Sequence, residues 1–325
     1  MVSILTFIVM IVVGAVVLGF IAVSAMFLIW WERKVSAHIQ TRYGPMRVGW
    51  HGVLQSVADV IKLLLKENIT PEGVDKPVWW LAPFFAVVPS VMVFVCIPFG
   101  NLFGINLIAR DLNIGILYIM ALTSICVLGI FMAGWGSNNK YSLLGGMRSA
   151  AQIVSYEVPL IISMVTAAMF AGTLSMQKIV EAQKDMWFVF QPNMALAFII
   201  FVISATAEIN RTPFDIPEAE SELVAGFHTE YSGMKFAMFF LGEYTNLFIV
   251  SALGATLFLG GWQGPFLPPV LWFLIKTYGI ITVLMWVRWT FPRVRVDQLM
   301  SFAWKVLTPI AFANLVVAAG WILLK

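Results

Sequence analysis

Mostly apolar runs recur along the chain at roughly 3–31, 79–100, 112–135, 148–172, 188–207, 236–259, 268–289 and 301–324. A helix rising 1.5 Å per residue needs about 20 such residues to cross a hydrocarbon layer about 30 Å thick. The pattern therefore predicts an all-α polytopic membrane protein with about eight transmembrane helices. Pro98 and Gly100 close the second run, Gly134 and Gly136 the third, and Gly260-Gly261 the sixth, as chain punctuators do. Pro309 lies inside the last run, where lipid-embedded helices tolerate proline better than soluble ones. The first run carries no charge from Met1 to Trp31, and no Lys or Arg precedes Arg33. A signal peptide has a basic start and an apolar stretch of only about 7–15 residues, so a retained spanning helix is expected. No repeat, low-complexity tract or soluble segment interrupts the series, and 1–325 reads as a single membrane domain.

Two connecting segments have patterns of their own. From about 53 to 69, apolar Val53, Val57, Val60, Ile61 and Leu64 oppose polar Gln55, Asp59, Lys62 and Lys66 at helical spacing. An amphipathic helix of this kind lies in the membrane interface rather than across it. From about 208 to 235 the connection is acidic: Glu208, Asp215, Glu218, Glu220, Glu222 and Glu230 place six of the seventeen acids within 23 residues. Asp215 followed three residues later by Glu218, with Pro217 between, has the form of a capping box at a helix start. That accounts for two of the six and leaves Glu220, Glu222 and Glu230 in need of another reason.

Composition fits a membrane solvent. The chain is 60% hydrophobic and 11% charged, against about 25% charged in soluble domains, and its mean hydropathy is +0.89. A net charge of +3 with no basic patch of interleaved aromatics argues against a nucleic-acid partner. Cys96 and Cys126 fall in apolar runs without a ligand cluster, and His38, His51 and His228 are scattered, so neither a disulfide nor a metal site is predicted. Charge does set an orientation. The loops after the first, third, fifth and seventh runs, with their flanks, hold fourteen Lys and Arg, and the other loops three. The positive-inside rule puts the fourteen in the cytoplasm, with both termini periplasmic.

Glu157, Glu243 and Lys276 lie within the fourth, sixth and seventh runs, and Glu208 closes the fifth. Charge inside a bilayer is costly and marks an ion or proton pathway by default. The opposing reading is a structural ion pair, with Lys276 as the partner of Glu157 or Glu243. No phosphate-cradling loop, nucleophile–base pair, haem or iron–sulfur ligand pattern is present. The residues by themselves thus predict a buried acid path beside an amphipathic cytoplasmic segment, in a proton-coupled carrier or in a subunit of a larger pump.

Local sequences choose between these. Trp31-Glu32-Arg33-Lys34, Gln40–Gly49, Ala58–Lys62, Ser137–Gly145, the long acidic segment Ala207–Gly226 with Thr229–Ser232, Gly260-Gly261-Trp262 and Arg293–Gln298 resemble, in order and along nearly the whole chain, the NuoH-type membrane subunits of NADH:quinone oxidoreductase, respiratory complex I. Thr41 and Met46 stand where that family often has Asn. The resemblance implies a subunit of a proton-translocating translocase in a bacterial cell inner membrane, with quinone as substrate. It implies no redox centre in this chain, with flavin and iron–sulfur clusters in partner subunits, hydrophilic partners closing a quinone chamber, and antiporter-like membrane partners. Carried over, Arg33, Arg42, Asp59, Lys62 and Phe214 would line quinone access and the chamber. Glu208, Glu218, Glu220, Glu222 and Glu230 would face it, Glu157 and Glu243 would continue the proton path, and Arg211 and Asp215 would hold acid side chains in place. Two rivals make different demands. The related membrane subunit of an energy-converting hydrogenase would match the acidic segment more weakly. A free-standing carrier would show broken helices in corresponding halves, and the sequence has no such pair.

Overall fold

The computed structural model describes residues 4–102, 104–217 and 220–324. Its helices are, in chain order, α1 (Ile4–Ile39), α2 (Gln55–Leu65), α3 (Lys76–Val93), α4 (Gly115–Gly136), α5 (Lys140–Ala171), α6 (Met176–Glu181), α7 (Met194–Glu208), α8 (Glu220–Leu223), α9 (Gly233–Phe258), α10 (Pro269–Thr290), α11 (Val296–Phe302) and α12 (Thr308–Leu324). Among the described residues, seven helices are long and apolar enough to cross a membrane: α1, α3, α4, α5, α9, α10 and the continuous Val296–Leu324 unit of α11 and α12. The chain is an all-α, multi-pass membrane protein. Two-residue strands, Asn101–Leu102 and Ile105–Asn106, pair antiparallel after α3.

The fifth apolar run is the shortest as a helix. Within it α7 has 15 residues, about 22 Å of rise. Phe188–Phe190 form a 3-10 turn instead, and Asn193 has φ 63°, a left-handed position that asparagine tolerates and that separates the turn from the helix. Elsewhere helices overrun the apolar layer. Helix α1 continues past Trp31 to Ile39 and so carries Glu32 and Arg33. Helix α5 begins at Lys140, eight residues before the apolar run, because the Asn139 side chain accepts the Tyr141 N–H at 2.9 Å and caps the first turn. Helix α2 stops at Leu65, short of the expected 69, because Lys66 is extended and the Ile69 N–H is taken by Ser232 Oγ at 3.1 Å. Its apolar Val57, Val60, Ile61 and Leu64 are exposed on this chain, as an interfacial helix requires.

The last span contains a wide turn. Ala303–Leu307 are π-helical, and Thr308 Oγ1 donates to the Ala303 carbonyl at 2.8 Å. Pro309 lacks an N–H and its ring crowds the preceding turn, so the helix widens there rather than breaking.

Helix α9 is the centre of the assembly, buried from Leu247 through Phe258 and touching α1, α3, α7 and α10. Phe248 stacks on Phe94 at 5.7 Å, and Phe20 meets Phe99 edge-on at 5.2 Å; such pairs contribute about 0.5–1.5 kcal/mol each beyond their burial. Helices α3 and α4 approach backbone to backbone at Gly129, where an added Cβ would sit 2.5 Å from the Ala86 nitrogen and 2.8 Å from the Phe85 carbonyl carbon. Small residues allow this closeness in membranes. Gly129→Val is expected to destabilise the fold by about 1–3 kcal/mol through overpacking, read as a lowered Tm of the detergent-extracted protein. An unchanged Tm would mean that the two helices part freely.

Candidate functional site

Helix α7 ends at Glu208, and the chain reverses at once. Asn210 takes a left-handed φ of 52°, and the Arg211 N–H returns to the Thr206 carbonyl at 3.3 Å, a helix-stop geometry. Gln152 and Ser149 of α5 hold the Asn210 amide, each at 3.1 Å. This turn sends Arg211 inward, where it is 3% exposed. Its Nη1 donates to both oxygens of Glu32, at 2.9 and 2.8 Å, and its Nη2 lies 2.8 Å from Glu243 Oε1. Tyr244 donates to Glu32 Oε2 at 2.9 Å and lies under the guanidinium, 4.7 Å from ring centroid to Cζ. Arg288, at the end of α10, donates to Glu32 Oε1. Burial works against the charge on Arg211, but Glu243 and Glu32 outweigh it and hold the guanidinium protonated. Two acids and two arginines thus close a buried network between α1, α9, α10 and the acidic segment.

Beyond Glu243 the interior is hollow. Two adjoining cavities of about 50 and 30 Å³ share Cys126, Ile130, Glu208, Ile209 and Asn246 in their walls. The larger reaches Glu243 and His228, and the smaller reaches Thr123. A buried water needs about 10–15 Å³ of such space and two to four polar partners, so both have room for several. Burial keeps the His228 imidazole neutral, with a pKa pulled down to about 4. Glu208 shares the wall of the smaller cavity with Thr123 and is within electrostatic reach of Glu157. Ser124, the next residue on α4, donates to Glu157 on α5. The order is Glu32, Arg211 and Glu243, then the larger cavity and Glu208, with Glu157 within electrostatic reach of Glu208 and bonded to Ser124.

Lys276 belongs elsewhere. It donates to the Leu259 and Gln263 carbonyls, both at 2.6 Å, and its Nζ is 4.2 Å from the Trp187 ring. It secures the C-terminal end of α9 and pairs with neither acid. Glu243 is ion-paired, as one reading expected, but with Arg211.

The other expected residues divide into groups. Arg33, Asp59 and Lys62 meet where α1 passes α2: Asp59 is 2.7 Å from Arg33 and 3.2 Å from Lys62. Burial raises the Asp59 pKa, but hydrogen bonds and charge from Arg33 and Lys62 outweigh it and hold the carboxyl below the usual range. Arg42 bonds Gln40 instead, at 2.7 Å. Phe214 is buried with Tyr156, Ile216 and Leu299, its ring 5.4 Å from Tyr156. Asp215 pairs with Arg293 at 3.2 Å and lies within electrostatic reach of Glu243, and α8 starts only at Glu220. Glu222 pairs with Arg148 at 2.6 Å. Glu230 accepts from Asn139 at 2.6 Å, beside an open surface groove lined by Glu72, Asn138 and Tyr141. Glu218 and the Glu220 side chain lie outside the described residues.

Sequence reasoning passed over Glu32, Tyr244 and Arg288. The signal for Glu32 is its place as the first charge after 31 uncharged residues; Arg288 is the basic residue of the last turn of α10.

Residues 11–319 match the NADH dehydrogenase family. The chain belongs to that family. Its relatives within the family include the H-type subunit of the NADH-quinone oxidoreductase of Dehalococcoides mccartyi strain CBDB1, 53% identical over 95% of this chain and 86% of that protein. An H-type subunit of the same enzyme from Geobacter metallireducens is 52% identical over 92% of each chain. Another, from Syntrophobacter fumaroxidans, is 50% identical over 98% of this chain and 97% of its own length. As a member of the NADH dehydrogenase family, the chain shares nearly its whole length with proteins of one kind, and the buried acids lie within the matched region.

Proposed function

We propose that this chain is the membrane subunit of a bacterial NADH-quinone oxidoreductase that forms one wall of the quinone chamber and couples quinone reduction to proton translocation. The observation that carries the reading is the larger cavity, walled by both Glu243 and Glu208, with Glu157 within electrostatic reach of Glu208. Quinone access runs past α2, whose exposed apolar face and Arg33–Asp59–Lys62 tie suit a molecule with an apolar tail and a polar headgroup. Reduction of the headgroup creates negative charge and takes up protons. In low dielectric that charge acts strongly on nearby carboxylates, and the acids respond as a coupled group. Protons then step from the acidic segment through Glu243 and Glu208 to Glu157 and on to antiporter-like membrane partners. Flavin and iron–sulfur clusters reside in hydrophilic partner subunits on the cytoplasmic side, where the basic loops face; with the shorter apolar helix α7 as an eighth crossing, both termini are periplasmic.

Photolabelling with a quinone analogue on the intact complex tests the chamber. Label is expected near Arg33 and between Asp59 and Lys62, competed away by excess quinone. Efficient labelling of a partner subunit with none on this chain would restrict its role to the proton path.

A further inference from the structure

The acids of the acidic segment do not themselves open into the larger cavity. Asp215, Glu222 and Glu230 are held by Arg293, Arg148 and Asn139, and none of the three walls it. Among the described residues between the Asn210 turn and α9, only Phe227 and His228 do. The backbone brings them there. Gly226 takes a left-handed φ of 59°, and the chain beside it rests on α5 at Gly145, where an added Cβ would lie 2.8 Å from the Phe227 nitrogen. The 3-10 turn Gly226–His228 then packs Phe227 edge-on against Phe239, 5.5 Å between centroids, and places His228 at the cavity wall. Phe236 and Phe240 of α9 meet the imidazole edge-on at 5.4 and 6.3 Å and fix its position. His228 is half-buried, and it shares the cavity with Glu243 and Glu208.

Burial keeps this imidazole neutral. A neutral imidazole has one ring nitrogen that accepts and one that donates, so a single side chain can take up a proton on one edge and release one from another. We propose that His228 is the relay through which protons pass from the acidic segment into the Glu243–Glu208 cavity. A proton from water beside the acidic segment binds the accepting nitrogen. The N–H bond of the other nitrogen breaks, and its proton passes through cavity water to the Glu243 carboxylate. A turn of the ring about its Cβ–Cγ bond restores the first tautomer. No electron moves, and water and the two side chains are the only participants. The cavity has room for that water. The inference rests on the acid path proposed above and gives it an entrance.

The test uses the whole complex in proteoliposomes. His228→Gln keeps a polar, hydrogen-bonding side chain that does not take up a proton. It is expected to lower NADH-driven lumenal acidification about 100-fold, within the range that positioned proton-transfer groups supply, with the Tm of the complex and its content of this subunit unchanged. The solvent deuterium isotope effect on acidification is expected to rise, because proton entry becomes the slow step. Undiminished acidification overturns the relay. So does a lowered rate with the parental isotope effect, which would make the ring a structural filler of the cavity wall. Glu208→Gln in the same preparation separates the relay from the path it feeds. Acidification lost with Glu208→Gln and kept with His228→Gln refutes the relay alone, and acidification kept in both refutes the path and the relay together. If His228→Gln does not assemble, His228→Asn carries the test with the same readouts and the same outcomes.

Discussion

Replacing Arg211 by Gln is expected to destabilise the folded subunit by about 3–5 kcal/mol, the usual consequence of removing one partner from a buried ion pair. Glu243 would lose its cation, 2.8 Å away, and among the described residues Glu32 would keep Arg288 and the Tyr244 hydroxyl. The measurement is the Tm of the purified complex together with the amount of this subunit retained in it. Arg211→Lys should recover only part of the loss, because a lysine cannot grip Glu32 through a planar fork while also reaching Glu243. The double variant Arg211→Gln with Glu243→Gln should regain much of it, since the uncompensated acid is then gone. An Arg211→Gln complex as stable as the parent would mean that the network contributes nothing to the fold.

Glu208→Gln should leave assembly intact and lower proton-coupled quinone reduction by about 100-fold or more, the range that positioned proton-transfer groups supply. Glutamine keeps the size and polarity of the side chain, but it cannot take up and release a proton in the wall shared by the two cavities. Proteoliposomes containing the whole complex give both readouts, NADH-driven quinone reduction and lumenal acidification. Glu157→Gln, one step farther along, should impair acidification in the same preparation while the protein still assembles. Undiminished acidification with Glu208→Gln would remove Glu208 from the path.

Much of the fold was legible because bilayer thickness constrains sequence directly: a run without charge must cross, and the runs at 79–100, 112–135 and 236–259 became α3, α4 and α9. The ends were less legible, because capping by Asn139 and the polar end of α1 are local devices that an apolar average does not see. In the site, Glu157, Glu208 and Glu243 stood out as acids in apolar surroundings, and the structure brings them to one series of contacts and cavities. Glu32 and Arg288 did not stand out, because a charge at the end of an apolar run looks like an ordinary interfacial residue; only the folded chain brings Arg288 and Arg211 together on Glu32. The acidic segment read as one cluster, yet Asp215, Glu222 and Glu230 point to three different partners, Arg293, Arg148 and Asn139. Spacing along a loop does not specify which side of it faces the interior.

Glu32 and Arg288 are 256 residues apart in the chain. A ribosome adds about 5–20 residues per second, so roughly 10–50 s pass between the synthesis of one and the arrival of the other. Until then the carboxylate of Glu32 lacks one of its two arginines, although Arg211 and Tyr244 precede Arg288 in the chain. The contacts that complete its burial come from Arg211 of the acidic segment and from the two helices made after it. The network therefore serves as a completeness check during biosynthesis: it closes only on a polypeptide that has been made and inserted through its tenth helix.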